Sequence, residues 1–194
     1  MRQFFRQLGA KCDLGYTKIT QKQRKKNRRN MKIGLTSDTH DNYPNIKKAI
    51  EIFKKKGVTM VLHAGDLVAP VNVPLFRDFD FKLAKGNCDG DVEALMEKID
   101  NIDGEFYDDI GFFDVHSKKF ALYHGKNEIQ LQSLIDSQDF DYIITGHTHK
   151  KRDDKIGRTR VINPGGHYPD PAEKPHTIAI LDLEKDVVEF VEIR

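Results

Sequence analysis

Seven side chains able to hold a metal ion recur along this chain beside glycines or at the ends of apolar runs. They are Asp38 and His40 in "KIGLTSDTHDN", Asp66 in "VLHAGD", Asn87 in "AKGNCD", His124 in "ALYHG", and His147 and His149 in "IITGHTHK". On a β-strand residues two apart share a face, so Asp38 with His40, and His147 with His149, are each expected to project together from a strand end. Seven donors exceed one tetrahedral zinc site and suit two adjacent ions with one carboxylate bridging. Carboxylate, imidazole and amide oxygen together favour Mn²⁺, Fe²⁺, Co²⁺, Ni²⁺ or Zn²⁺ over an all-oxygen Mg²⁺ site. Two ions about 3.5–4 Å apart generate a bridging hydroxide near neutral pH and clamp phosphoryl oxygens during in-line displacement. Phosphoester hydrolysis is the chemistry this set suits best.

Each residue taken singly has a structural alternative. Asp66 and Asn87 could merely shape turns after glycine, and an isolated His124 could be a core histidine. Their joint occurrence at five successive strand ends outweighs those separate readings. His63 reads as packing, Asp41 and Asn42 as turn or supporting groups, and His116, His167 and His176 receive no role.

The elements that must position these donors alternate in type. A strand near 32–37 leads to "YPNIKKAIEIFKKKG", where Ile46, Ala49, Ile50 and Phe53 fall at helical spacing between Pro44 and the terminating Gly57. Strands at "VTMVLHAGD" and "FKLAKGN" follow, separated by a short piece broken by Pro70 and Pro74, and "DVEALMEKI" reads as a helix. This βαβαβα order argues for a parallel sheet with crossover helices. Residues 104–125 read as antiparallel hairpins, followed by a helix at "EIQLQSLIDSQ", a strand at "DYIITGHTHK" and two more hairpins. Pockets of α/β proteins lie at the carboxyl ends of strands, where these donors stand.

At 194 residues, 38% of them hydrophobic, the chain suits one domain with one sizeable core. It contains no apolar run of membrane-spanning length and no signal-peptide core, so a cytoplasmic protein without a membrane association is expected. The net charge of +2 conceals two parts: residues 1–30 hold ten Lys/Arg against one acid, leaving 22 basic and 29 acidic residues from 31 to 194. Low hydrophobicity and high charge favour a disordered basic extension over 1–30 and a folded domain over 31–194. Nucleic-acid binding through the extension is the less favoured reading, because the acidic body offers no basic stripe to continue the path. Cys12 and Cys88 do not make a disulfide framework.

In order, D-x-H, G-D, G-N-C-D, H-G and G-H-T-H, followed by "INPGG", resemble the calcineurin-like metallophosphoesterase superfamily. The set is most similar to the small phosphodiesterase branch that also includes the retromer subunit Vps29. The resemblance covers Met31 to the C-terminus and leaves the basic extension unmatched. It implies a four-layer αββα sandwich of two mixed β-sheets flanked by helices, and a metal-dependent phosphodiesterase acting through a metal-bridging hydroxide. Carried over by position, it puts Asp38, His40 and His149 on one ion, Asn87, His124 and His147 on the other, and Asp66 between them. Two divalent ions, Mn²⁺ foremost, a small phosphodiester substrate and a homo-oligomeric state are implied with it. Two departures leave the general acid unassigned. Cys88 replaces the histidine common after Gly-Asn, and Lys126 stands where relatives often carry a second histidine; either is a candidate acid or phosphate contact. The alternative is a Vps29-like interaction scaffold with little turnover. The intact Gly86-Asn87 pair, degenerate in that subunit, favours the enzyme.

Overall fold

The computed structural model describes residues 31–169 and 175–194; the basic extension expected over 1–30 lies outside the described residues. The first sheet forms in the order β11-β10-β1-β2-β3-β4, from β1 (Lys32–Thr36), β2 (Met60–His63), β3 (Asp80–Ala84), β4 (Glu105–Tyr107), β10 (Thr177–Asp182) and β11 (Val187–Glu192). The second runs β5-β6-β7-β9-β8, from β5 (Ile110–Val115), β6 (Lys118–Tyr123), β7 (Tyr142–Ile144), β8 (Lys151–Ile156) and β9 (Thr159–Pro164). Three helices, α1 (Tyr43–Lys56), α2 (Val92–Asp100) and α3 (Glu128–Ser137), and a 3₁₀ turn at Pro70–Phe76 complete the described elements.

Strand periodicity explains the layers. In β1, Ile33 and Leu35 face the second sheet with Met60 and Leu62 of β2, meeting Phe120, Leu122, Ile144 and Ile162. The intervening Gly34 faces α1, where a Cβ would stand 2.8 Å from the Phe53 ring. On that outer face Val61, Phe81, Leu83, Ile178 and Ile180 pack against Ile46, Ala49, Ile50 and Phe53 of α1 and Leu95 and Ile99 of α2. Ile135 of α3 covers Ala121, Ile143 and Val161 on the other sheet. The expected αββα sandwich of two mixed sheets is the observed one. Each fully buried aliphatic or aromatic side chain in these layers contributes about 1.5–3 kcal/mol. Helix α1 has Pro44 in its first turn and Gly57 closing it in the left-handed region, as its sequence predicts, and Asn42 caps it by accepting a hydrogen bond from Asn45 N.

One expectation fails. Only part of 104–125 is a hairpin: β5 and β6 pair antiparallel with Phe113 opposite Phe120, whereas β4 runs parallel to β3 in the other sheet. The crossover through α2 delivers β4 to that edge. There Glu105 pairs with Lys82, which is buried, and Phe106 packs into the helix-side core.

Candidate metal centre

The loops that follow β1, β2, β3, β6 and β7 meet at one edge of the sandwich. Backbone bonds lock them together: Asp38 N donates to Gly65 O at 2.9 Å, His40 N to Asp66 O at 3.1 Å, and Gly146 N to His124 O at 3.0 Å. The seven donors converge, although not as strand pleating predicts. β1 ends at Thr36 and β7 at Ile144, so both D-x-H and H-T-H lie beyond their strands. Asp38, His40, Asp66, His147 and His149 all have positive φ, between 40° and 68°. This is a costly backbone state for non-glycine residues, of the kind found where a site over-determines its geometry.

Two groups of donors lie on either side of Asp66. Ligand atoms of Asp38, His40 and His149 lie within 4.8 Å of one another, as do those of Asp38, Asp66 and His124. Asp66 Oδ2 stands 3.5 Å from His40 Nε2 and 3.5 Å from His124 Nε2. His124 Nε2 in turn lies 2.9 Å from Asn87 Oδ1 and 3.3 Å from His147 Nδ1. Asp38, Asp66 and His124 form a buried floor; Asn87 and His147 are exposed at its rim.

Charge and proton bookkeeping show why this arrangement fits a cation. His124 Nδ1 is 2.8 Å from Ala64 O, which can only accept, so that nitrogen carries the proton of the neutral ring. The lone pair of Nε2 then faces His147 Nδ1, Asn87 Oδ1 and the Asp66 carboxylate, a concentration of donor atoms that a cation among them would satisfy together. His40 Nε2 is buried without a hydrogen bond. Asp38 is held in the same readiness, since Ser37 Oγ donates to Oδ2 at 2.6 Å and His147 N at 3.0 Å. Burial pushes its carboxyl upward, yet bonds from His149 and Ser37 and the nearby imidazoles hold it below the usual carboxylate range. Burial likewise drives the His40 pKa down, against the opposing pull of Asp66 and Asp38. Both shifts favour the deprotonated, metal-ready forms. The residues fit a dinuclear centre.

The two departures resolve differently. Lys126 Nζ lies 3.3 Å from Asp109 Oδ1, a partner outside the donor cluster. Cys88 is exposed yet next to Asp66, and its thiol is pushed up to about 11, first by desolvation and then by the Asp66 charge. His63, read as packing, lies buried beside Phe76 and Phe81 and bonds Thr39 Oγ1 at 3.1 Å. Asp41 supports the loops, accepting from Ala69 N and Asn72 Nδ2 at 2.8 Å each. Asn42, besides capping α1, donates to His167 O.

Three supporting residues escape the sequence reading. Asp89 accepts from Asp66 N, Gly86 N and Val68 N, clipping two loops together; its place in "GNCD" is the available signal. Asn163 of "INPGG" donates to Gly146 O at 2.7 Å. The Tyr168 ring stands edge-on to His40 with centroids 4.7 Å apart, and nothing in its local sequence marks it.

Known proteins resemble this chain in sequence and fold. Residues 31–186 match the calcineurin-like phosphoesterase superfamily domain. Among curated proteins, the chain is 39% identical over 158 residues to a phosphodiesterase of Methanocaldococcus jannaschii, spanning 80% of this chain and 95% of that one. A probable metallophosphoesterase of Methanothermobacter thermautotrophicus is 29% identical over 146 residues, 70% of this chain and 76% of the relative. Among solved structures, an archaeal phosphodiesterase superposes with a TM-score of 0.78 at 36% identity, covering 84% of this chain and 99% of that one. Vacuolar protein sorting 29 from Cryptosporidium parvum superposes with a TM-score of 0.59 at 18% identity over 84% of this chain and 96% of its own, a likeness of fold alone. With the domain matched over most of its length and a 39% identical relative spanned nearly end to end, the chain belongs to the calcineurin-like phosphoesterase superfamily.

Proposed function

We propose that this protein is a metal-dependent phosphodiesterase acting on small phosphodiesters. The observation that carries the reading is Asp66 Oδ2, equidistant at 3.5 Å from His40 and His124, with a donor group on either side. The likeness to the Methanocaldococcus jannaschii phosphodiesterase supports the same choice of reaction. In this reading Asp38, His40 and His149 would hold one ion, Asn87, His124 and His147 the other, and Asp66 would contact both. Two divalent cations, Mn²⁺ foremost with Ni²⁺, Fe²⁺, Co²⁺ or Zn²⁺ as substitutes, would polarise the phosphoryl group and activate the attacking water.

The chain's own contribution is preorganisation. Ser37 and His147 N fix the Asp38 carboxylate, and the Ala64 carbonyl fixes the His124 tautomer, so little reorganisation accompanies the reaction. Exposed Asn87 and His147 leave the rim open to a small diester. Lys126 is engaged by Asp109, and no general acid is assigned; diesters with good leaving groups are the expected substrates. The complete donor set favours turnover over the scaffold alternative.

The test is hydrolysis of a chromogenic phosphodiester and the matching monoester by metal-stripped protein titrated with Mn²⁺ and Ni²⁺. Diester turnover is expected to require metal and to fall by about 100-fold or more in Asp66→Asn, at least as large a loss as for outer-sphere metal-site changes. Metal binding without turnover of either compound would refute the enzyme reading.

A further inference from the structure

A third donor group contains sulfur. Ligand atoms of His40, Asp66 and Cys88 lie within 4.8 Å of one another. The Cys88 backbone is anchored there, its N–H donating to Asp66 Oδ1 at 2.8 Å, while Asn87 Nδ2 donates to Sγ at 3.3 Å. His40 Nε2 is buried with no hydrogen bond. Cys88 is exposed, so its side chain is free of the packing that fixes a core thiol.

We propose that Cys88 is a sulfur donor to the cation held by His40 and Asp66, and that it sets the order of metal affinities at this centre. The inference rests on the metal-centre reading above and deepens it. Donors around one ion, with metal–sulfur bonds near 2.3 Å and metal–nitrogen bonds near 2.1 Å, stand about 3–4 Å apart. With the observed atoms no more than 4.8 Å apart, less than about 2 Å of movement closes the group, within reach of a side-chain adjustment in an exposed cysteine. Binding is a ligand exchange: the S–H bond breaks, the proton leaves to solvent, and a sulfur lone pair forms the bond to the cation, with no change of oxidation state. Mn²⁺ is served by the oxygen and nitrogen donors alone. Softer ions such as Co²⁺, Zn²⁺ and Cd²⁺ recruit the thiolate and bind more tightly for it.

Co²⁺ provides the test. The full chain carrying Cys12→Ser, which leaves Cys88 as its only thiol, is stripped of metal and titrated with Co²⁺, with binding followed by chelator competition. Bound Co²⁺ is expected to show an intense near-ultraviolet sulfur-to-cobalt charge-transfer band. Adding Cys88→Ser should abolish that band, weaken Co²⁺ binding without eliminating it, and lower Zn²⁺ affinity relative to Mn²⁺ by about tenfold or more. Bound Co²⁺ without the band, or a band unaltered by Cys88→Ser, would overturn the inference and leave the metal centre standing. No Co²⁺ binding to either chain would overturn the metal centre and the inference with it.

Discussion

Gly86 shows how narrowly the position of Asp66 is held. A Cβ at residue 86 would stand 2.0 Å from Asp66 Oδ1 and 2.3 Å from Asp66 N, so backbone and carboxylate are both struck and no single rotation of Asp66 relieves the clash. Gly86→Ala is therefore expected to displace the carboxylate that stands between His40 and His124. The loss should appear in metal binding as well as folding: Mn²⁺ affinity falls by about tenfold or more, while overpacking costs about 1–3 kcal/mol of stability. Calorimetric titration of folded Gly86→Ala with Mn²⁺ checks this; wild-type affinity would show that the loop yields without moving Asp66. Close approaches of this kind are why the donors are legible in the sequence and their conformations are not. Asp, His and Asn declare their chemistry by type. That Asp38, His40, Asp66, His147 and His149 reach the centre through positive φ depends on the packing of neighbouring loops.

At the scale of elements, the centre is a set of loops tied to one another more than to their own strands. Asp89 is the clearest tie: Oδ2 accepts from Asp66 N at 3.0 Å and Gly86 N at 2.7 Å, and Oδ1 from Val68 N at 2.7 Å. Asp89→Ala leaves three backbone donors without their acceptor, two of them on buried residues, and should cost about 3 kcal/mol or more. Because the loops after β2 and β3 lose their common anchor, metal affinity should fall along with the unfolding midpoint. Urea denaturation with and without Mn²⁺ separates the two effects, and an unchanged midpoint in metal-free protein would refute the clip. Regular elements are easier to read than such ties. Helix α1 announces itself through Pro44, its apolar stripe and Gly57, and the β8–β9 and β10–β11 hairpins through short charged turns. Strand β4 departs from the hairpin its sequence suggests because its few residues carry no signal for which sheet they join. Pairing with β3, the Lys82–Glu105 contact and the packing of half-buried Phe106 decide that, and all three are tertiary.

For the molecule as a whole, the buried histidines behind the centre make stability depend on pH. His63 and His167 are fully buried, and burial first, then neighbouring imidazoles, brings each pKa to about 3. Both keep an Nδ1 without a hydrogen-bond partner, so the fold offers no compensation for a second proton. In the unfolded chain each titrates near 6.5, so between about pH 6.5 and 3 the unfolded state binds more protons than the native one. Stability therefore rises with pH across that window, is fully present above 6.5, and is lost as pH falls. At pH 5 the two together remove about 4 kcal/mol, roughly 1.5 pH units apiece at 1.36 kcal/mol per unit. Asp38, whose pKa is also lowered, adds a loss of the same sign at lower pH, as its carboxylate is protonated. Urea unfolding of metal-stripped protein from pH 5 to 8 should show this slope, roughly halved in His63→Gln or His167→Gln, because either variant removes one of the two titrating groups. A midpoint that stays flat from pH 5 to 7 in the wild-type chain would mean that the native state admits a proton to these rings, and that the sandwich opens behind Asp38 at little cost.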